Sequence, residues 1–404
     1  PVLAALPLAK QRNIIFLILL LMTFAQLGTD IYLPSFPAIS NYLRVDVAYV
    51  QMTYSIFLVG FALSQIIYGP LSDYYGRKPF LLIGVFLYFL MALVSSKTNS
   101  ITVLMIARAL QGVGAGACSV IPRAIMRDLY SGYELEKISS YQTIVWSFVP
   151  ISAPLMGSYI QYYWGWRYNF LFLAAISCFA FILCLFFRES HSKKEKELKL
   201  FAIMKQYSNI IVHQSFYPSL VCCMGATMML IAFEVSAPVI IQQHLGLSTI
   251  QFGWSIFMVS ISFFLGSIIN RILIKSLTPH TIIGYGFFLV FIAILLIFAS
   301  LLFLKLSIQL FLIPMFILQI GISFIFPSNA AKAMQAFPDS AGKAAAVFGC
   351  VMFLGGTVAG LIISVLPDNT LLPMAIVYSV ILAIMYYFYR LPRETRRMPY
   401  LQTN

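Results

Sequence analysis

Charged residues are scarce in this chain of 404 residues, and acids are the scarcer kind, with 13 Asp and Glu against 26 Lys and Arg. Charged residues make up 10% of the chain, which excludes an ordinary soluble domain, where about 25% is usual. The nucleotide-binding pattern G-x-x-x-x-G-K-[ST] is absent as well. A pump with its own ATPase domain is therefore excluded, and any uphill transport must use an ion gradient.

Cysteine and histidine are few and scattered. The cysteines all lie in apolar stretches, and the histidines lie in loops or near the ends of apolar runs. They are Cys118, Cys178, Cys184, Cys222, Cys223 and Cys350, and His191, His213, His244 and His280. This pattern indicates neither a disulfide framework nor a metal site, nor a relay of histidines inside a membrane. We expect no cofactor.

Apolar residues dominate, at 61% of the chain. They form twelve runs long enough to cross a bilayer, at roughly 14–33, 47–71, 80–96, 101–125, 138–162, 167–187, 214–241, 249–273, 281–304, 307–331, 343–366 and 371–390. The surplus of bases gathers in loops on one side of these runs, which indicates positive-inside topology and not a nucleic-acid partner. The sequence predicts an all-α, multi-pass membrane protein with both termini cytoplasmic.

One long charged run, from Glu189 to Lys199, separates the sixth span from the seventh. It predicts an N-terminal six-helix bundle at 1–188, a cytoplasmic linker at 189–205 and a C-terminal six-helix bundle at 206–404. Short segments recur in the same order in both halves, as expected for two pseudo-symmetric repeats. The matching features are Tyr54-Ser-Ile-Phe-Leu-Val59 with Trp254-Ser-Ile-Phe-Met-Val259, Pro122 and Arg127 with Pro327 and Lys332, and Asp30 and Pro34 with Glu234 and Pro238.

A tight polar turn, Gly69-Pro-Leu-Ser-Asp73-Tyr-Tyr-Gly76-Arg77-Lys78-Pro79, joins spans two and three. Glycine permits the turn, and the two bases favour the cytoplasmic side. The run resembles the loop G-x-L-a-D-x-x-G-R-K-x between helices 2 and 3 of the major facilitator superfamily, with Ser72 at the small position. The resemblance implies a cytoplasmic gate in which Asp73 pairs with basic residues. Its expected members are Gly69, Asp73, Gly76, Arg77, Lys78 and Arg127.

Two acids lie inside apolar spans, where charges are expensive and usually functional. Asp30 and Glu234 each stand four residues before a proline, and Glu234 is expected to lie deeper than Asp30. The segment around Asp30 resembles the pattern T-D-x-Y-L-P-x-x-P of the bicyclomycin- and chloramphenicol-resistance branch of the drug:proton antiporters. We interpret Glu234 as the principal proton carrier and Asp30 as the secondary one. The alternatives are a structural ion pair for Glu234 and an interfacial helix-end acid for Asp30.

Arg108 lies about two turns inside span four and keeps its charge, so we expect it to face a cavity or a carboxylate. Its surroundings resemble the helix-4 motif R-x-x-Q-G-x-G-x-G, which implies a role in proton transfer. Gly112 and Gly116 predict close helix contact. Further along, Arg123 either faces the cytoplasmic part of a cavity or extends to the headgroups.

Span five retains part of the antiporter signature G-x-x-x-G-P-x-x-G-G. Pro154 and Gly157 match, and Pro150 adds a second break, whereas Val149, Ala153 and Ser158 replace glycines. Together, Pro150, Pro154 and Gly157 predict a deformable helix face. Because the signature is incomplete, both export and uptake remain open at this point.

The resemblance predicts proton-coupled efflux of small amphipathic compounds by alternating access, in a monomer whose partners are its solute and the bilayer. A dedicated exporter of one metabolite, such as a siderophore, and a proton-coupled uptake symporter remain as alternatives. An enzyme is not indicated, because no nucleophile is paired with a base at one membrane depth. The expected cavity residues are Tyr54, Tyr141, Trp146, Phe233, Trp254 and Arg123.

Overall fold

A computed structural model describes residues 8–190, 200–214, 216–303, 306–337, 340–367 and 370–390. Its ordered elements are helices. They are α1 (Leu8–Asp30), α2 (Phe36–Leu43), α3 (Val47–Tyr75), α4 (Arg77–Lys97), α5 (Ile101–Leu129), α6 (Gly132–Trp164), α7 (Trp166–Phe186), α8 (Leu200–Ile211), α9 (Tyr217–Pro238), α10 (Thr249–Leu273), α11 (Pro279–Ser300), α12 (Ile308–Gln335), α13 (Ala341–Val365) and α14 (Leu372–Arg390).

The prediction of twelve long helices in two sets of six is confirmed. Eleven helices of the described chain are long and apolar enough to cross a membrane, and α6, with 33 residues, occupies the fifth position. The short helices α2 and α8 lie outside these twelve. A 3-10 turn, Leu33–Ser35, follows α1, and a π-helical segment, Val239–His244, follows α9. Both irregular segments therefore follow the helices that carry Asp30 and Glu234.

Several helices extend beyond their apolar runs at one end of the bundle. α3 continues to Tyr75, α5 to Leu129 and α12 to Gln335, each about one turn past the predicted limit, and α6 begins at Gly132, nearly two turns before it. We call this the basic end, because it carries the 69–79 turn and the bases of the α5 terminus. The other end, with the α1–α3 and α9–α10 connections, is the opposite end. The apolar run marks only the part of a helix suited to lipid, whereas the helix itself continues into the polar zone.

Close helix contacts hold each half together. A side chain at Gly112 of α5 would place its Cβ 2.1 Å from the Phe57 carbonyl oxygen of α3, and one at Gly84 of α4 would meet Ala117 of α5. The small-residue face predicted for α5 therefore packs against α3, as expected. Such contacts bring helix backbones together where lipid supplies no hydrophobic driving force.

Two helix pairs join the halves: α3 packs against α13, and α6 packs against α10. Gly360 of α13 lies over the Ser55 hydroxyl, and Gly253 of α10 lies over the Ser158 hydroxyl. The hydrogen bonds between the halves cluster toward the opposite end. Among the described residues they are Gln51 to Val235, Tyr54 to Glu234, Gln242 to Pro34, Trp254 to Tyr159 and Thr357 to Ser55. The two halves are thus tied together at the opposite end.

Candidate proton-coupling site and gate

A tyrosine of one half donates a hydrogen bond to a carboxylate of the other. The Tyr54 hydroxyl, two turns into α3, lies 2.5 Å from Glu234 Oε2 on α9. Tyr54 is buried, whereas Glu234 retains partial exposure. Pro238, four residues after Glu234, has no N–H to donate to the Glu234 carbonyl, so the backbone is interrupted there. Two residues that are 180 positions apart in the sequence thus meet inside the bundle.

Asp30 lies beside this pair. It is the last residue of α1, and its Oδ2 atom has no hydrogen-bond partner among the described residues. Asp30 lies within electrostatic range of both Glu234 and Arg108. Its side chain is only 3% exposed, although the sequence suggested contact with water at the end of the span. Two carboxyl groups, one from each half, therefore occupy the same region.

The reason for the unexpected burial of Asp30 is the close approach of α6. A Cβ atom at Gly157 would lie 1.7 Å from the Ile31 carbonyl oxygen, so the backbones of α1 and α6 touch. Asn169 of α7 donates to both the Ser35 hydroxyl, at 2.9 Å, and the Gly157 carbonyl, at 3.3 Å. These contacts cover the end of α1 with protein, where the sequence alone suggested contact with water.

Gly157→Ala is expected to lower the free energy of unfolding by about 1–3 kcal/mol, because the added methyl group meets backbone and forces the helices apart. The matched control is Gly284→Ala on α11, where an added Cβ has nothing within 4 Å. Thermal unfolding of both variants in detergent gives the comparison. Equal melting temperatures for the two variants would contradict this account of the α1–α6 contact.

Arg108 does not face an open cavity. Its side chain is fully buried inside the N-terminal half, with Nη1 donating to Gln111 Oε1 at 2.7 Å and Nη2 donating to the Gly28 carbonyl at 2.8 Å. The guanidinium carbon lies 4.3 Å from the ring centroid of Tyr32 and 4.1 Å from that of Phe57. We call these four residues the Arg108 cage. The cage stabilises the charge through hydrogen bonds and ring faces, and the carboxylate of Asp30 is within electrostatic range.

The predicted cavity residues separate into different environments. Tyr141 and Trp254 are 40% and 44% exposed, and Trp254 donates to the Tyr159 hydroxyl at 3.3 Å. Phe233 is buried and packs against Phe311, so its ring does not form an open wall. The side chain of Trp146 lies outside the described residues. Arg123 folds back on its own helix, where Nε donates to the Ser119 carbonyl at 2.9 Å.

The helix-5 motif lies in the interior of α6, with Pro150 and Pro154 inside the helix. At one of the positions where the signature expects glycine, Ser158 places its hydroxyl against Gly253 of α10. The glycine that allows close contact between the halves is thus Gly253 on α10, and not a residue of α6. The sequence of α6 alone could not show that α10 supplies the glycine.

At the basic end, Arg77 is the centre of the predicted gate. Its guanidinium forms an ion pair with Asp73, donates from Nε to Asp128 Oδ2 at 2.8 Å, and donates from Nη1 to the Ser72 hydroxyl at 2.8 Å. Arg77 is 4% exposed, whereas the side chains of Asp73 and Asp128 are 39% and 18% exposed, so the guanidinium is shielded while its acidic partners keep contact with solvent. The expected partnership of Asp73 and Arg77 is present. Asp128, at the end of α5, is a partner that the sequence reading did not assign.

A second unassigned partner, Glu189, caps the first turn of α4. Its two carboxylate oxygens accept hydrogen bonds from the backbone N–H groups of Arg77 and Lys78, each at 3.0 Å. The side chain of Lys78 donates to the Leu185 carbonyl at 2.8 Å. A carboxylate at a helix N-terminus satisfies free N–H groups and complements the helix dipole. Gly76, with φ of 111°, makes the turn that allows this geometry.

Arg127 was expected to pair with Asp73. No ion pair joins these two residues in the described part of the chain, and Arg127 instead lies across the boundary between the halves, with Nη1 beside Gly342 at the start of α13. Gly69 was also predicted to belong to the gate, but a Cβ atom added there would have no atom within 4 Å. The residues predicted to form a gate therefore divide into an Arg77 cluster within the N-terminal half and a separate Arg127 contact to the C-terminal half.

The short helix α8 adds to the basic end. It extends past residue 205, where the predicted linker ends, and its Tyr207 is buried with Ile210 against Phe216 and Ala344. Burial, with a smaller effect of nearby Asp73, raises the pKa of Tyr207 to about 12. Tyr207 thus remains a neutral phenol near Asp73 at neutral pH. Residues 191–199 of the predicted linker lie outside the described residues.

The chain belongs to the Major Facilitator Superfamily, whose sequence pattern matches residues 18–360. Its members are transporters and not enzymes, and the chain is accordingly a transporter. Among the described residues, no group of three or more His, Cys, Asp or Glu side chains could hold a metal ion.

Relatives cover most of the chain. Multidrug resistance protein D of Escherichia coli is 28% identical over 89% of this chain and 91% of its own length. The bicyclomycin resistance protein homolog of Haemophilus influenzae is 28% identical over 96% and 99%, and a chloramphenicol resistance protein of Pseudomonas aeruginosa is 31% identical over 91% and 88%. The crystal structure of a D-xylose-proton symporter superposes with a TM-score of 0.69 at 14% identity, covering 94% of this chain and 98% of the symporter, which shows the shared fold.

Proposed function

We propose that this protein is a proton-coupled antiporter that exports small amphipathic compounds, including drugs, across a bacterial inner membrane. The names of three relatives that span most of the chain, for multidrug, bicyclomycin and chloramphenicol resistance, support export of this class. The concentration of bases at the basic end supports a cytoplasmic location for that end and for both termini. The two halves, 1–188 and 206–404, rock about a central cavity in a monomer.

The observation that carries the coupling mechanism is the bond between Tyr54 and Glu234, because it places a titratable group on the boundary between the halves. An ionised carboxylate accepts a stronger hydrogen bond from a tyrosine than a protonated one does. Proton uptake by Glu234 therefore weakens a contact that holds the opposite end closed, and proton release restores it. Glu234 acts as the principal carrier and Asp30 as the secondary carrier.

Arg108 has a supporting role in this mechanism. Its guanidinium is held by the Arg108 cage, and its fixed charge lies within electrostatic range of Asp30. A nearby positive charge favours the ionised form of a carboxyl group. Arg108 thus influences proton affinity without itself carrying a proton or contacting the solute.

Purified protein in liposomes tests the function. A proton gradient is imposed with the higher proton concentration on the side that the opposite end faces. Labelled solute should then move against the proton flow, from the side that the basic end faces to the other side. A panel of cationic, neutral and polyanionic compounds should show transport of several amphipathic members. Transport of one metabolite alone would identify a dedicated exporter, and solute movement in the same direction as protons would identify a symporter; either result contradicts the proposal.

Asp73→Asn is expected to weaken closure of the basic end while leaving folding nearly intact, because Arg77 keeps its bond to Asp128. Labelling of a Tyr141→Cys reporter by a thiol reagent should then increase. Asp46→Asn, which removes an acid at the N-terminus of α3 on the opposite end, is the control. Unchanged labelling together with lost transport would show that Asp73 has a different role.

A further inference from the structure

A small cavity lies at the opposite end, one helical turn from Glu234. It has a volume of about 20 Å³ and is lined by Gln51 of α3, by Ser236 and Val239 of α9 and the segment that follows it, and by Pro367 and Thr370 between α13 and α14. Pro367 and Thr370 are exposed, whereas Gln51 and Ser236 are buried. The cavity therefore leads from the surface toward the boundary between the halves. A cavity of roughly 10–15 Å³ or more with polar groups in its wall can hold a water molecule.

Gln51 lies between this cavity and the proton-coupling residues. Its Nε2 atom donates to the Val235 carbonyl at 2.9 Å, on the residue that follows Glu234, and Tyr54 is one turn further along α3. Beyond Val235 the residues of α9 are buried, whereas Glu234 retains partial exposure. Gln51 thus lines the cavity and is anchored to the residue next to Glu234, which places its amide between the two.

Several side chains that can carry a proton lie near Glu234. Tyr54 on α3, Asp30 at the end of α1 and Tyr378 on α14 all lie within electrostatic range of Glu234. Hydroxyl and carboxyl groups pass protons between hydrogen-bonded neighbours, but a glutamine amide gains or loses a proton only far outside the physiological range. Tyr54 donates to Glu234, whereas Gln51 donates to the Val235 carbonyl, so of these three side chains only Gln51 cannot pass a proton.

We infer that Gln51 is a proton seal: while the opposite end is closed to solutes, its amide separates the cavity water from Glu234 and prevents protons from crossing without exported solute. This inference rests on the proposed coupling function and assigns a residue that makes the coupling strict. Removing the Gln51 amide would enlarge the cavity by the space that the amide occupies. The Val235 carbonyl would lose its donor and would bind water there. A continuous path of water, Tyr54 and Glu234 would then cross the closed end.

The test measures proton entry into proteoliposomes that contain a pH-sensitive dye and no solute, under an imposed proton gradient. Gln51→Ala is expected to increase the entry rate several-fold over wild type, and the double variant Gln51→Ala with Glu234→Gln should return to the wild-type rate. The matched control is Gln65→Ala, since Gln65 is an equally buried glutamine of α3 that faces Gly349 of α13. It should leave the rate unchanged.

Each other result overturns the inference. A wild-type rate in Gln51→Ala shows that the amide seals nothing. A rapid rate that persists in the double variant shows that protons pass around Glu234, as they would if the halves had simply separated. Ser236→Val, which narrows the cavity without touching the Gln51 bond, should suppress the leak of Gln51→Ala, and an undiminished leak there contradicts the route through the cavity. The proposed coupling function is tested separately, by measuring solute transport driven by a pH gradient in the single variant Glu234→Gln. Transport that persists in this variant contradicts the coupling function, whatever the proton entry rate of Gln51→Ala.

Discussion

Replacing Glu234 with glutamine is expected to abolish solute transport driven by a pH gradient while preserving solute binding and gradient-independent exchange. Glutamine has the shape of the protonated acid and cannot release a proton. The Tyr54 hydroxyl, which lies 2.5 Å from Glu234 Oε2, can still donate to an amide oxygen, so the contact between α3 and α9 survives. The loss should therefore be confined to the coupling step.

Transport and exchange are measured in the same proteoliposomes, with and without an imposed gradient. Asp30→Asn should reduce the response to the gradient without removing it, because Glu234 remains. The control is Glu136→Gln, an exposed acid near the start of α6. Accumulation of solute by the Glu234→Gln variant in response to the gradient would show that the assignment is wrong and would leave Asp30 as the leading carrier.

Arg108→Ala is expected to lower the free energy of unfolding by about 2–5 kcal/mol and to abolish proton-driven transport. The substitution empties a fully buried site and leaves the Gly28 carbonyl and the Gln111 amide without their charged donor. Arg108→Lys retains the charge but not the planar group that lies between the Tyr32 and Phe57 rings. Lysine should therefore restore little stability or activity.

Melting temperature in detergent separates the structural effect from the effect on coupling, with Arg271→Ala, at an exposed position of α10, as the control. Variants that fold at low temperature can be assayed for transport there. Strong transport by Arg108→Lys would mean that charge alone is needed and that the geometry of the Arg108 cage is unimportant. Wild-type transport by Arg108→Ala would remove Arg108 from the mechanism.

Features encoded in short stretches were predictable from the sequence. The number and order of the long helices follow from apolar run length, and the tight turn at Gly76 follows from its glycine and flanking charges. The ion pair of Asp73 with Arg77 spans a single helix junction and was expected. The sequence predicted Glu234 as a proton carrier and Tyr54 as a residue of the cavity wall. It did not predict that the two are joined by a hydrogen bond.

Relations between distant segments were not predictable from one sequence. Asp128 and Glu189 reach the Arg77 region from the ends of α5 and α7, and nothing near them in the chain indicates this meeting. Arg108 was expected to need a carboxylate or a cavity, since ring faces contributed by other helices leave no local signal. The burial of Asp30 depends on how closely α6 approaches, which the glycine at 157 permits but does not require.

The Arg108 cage has a consequence for how the protein is made. Its hydrogen bonds and ring faces come from the end of α1, from α3 and from α5 itself, and Phe170 of α7 adds a ring at 5.9 Å. Inserting an arginine at the centre of a solitary helix costs roughly 2.5–3.5 kcal/mol. An isolated α5 is therefore costly to place in a bilayer, and the packing of α1, α3 and α7 around Arg108 offsets that cost. A chain truncated before α7 would lack the Phe170 ring and would leave this charge less well shielded from lipid.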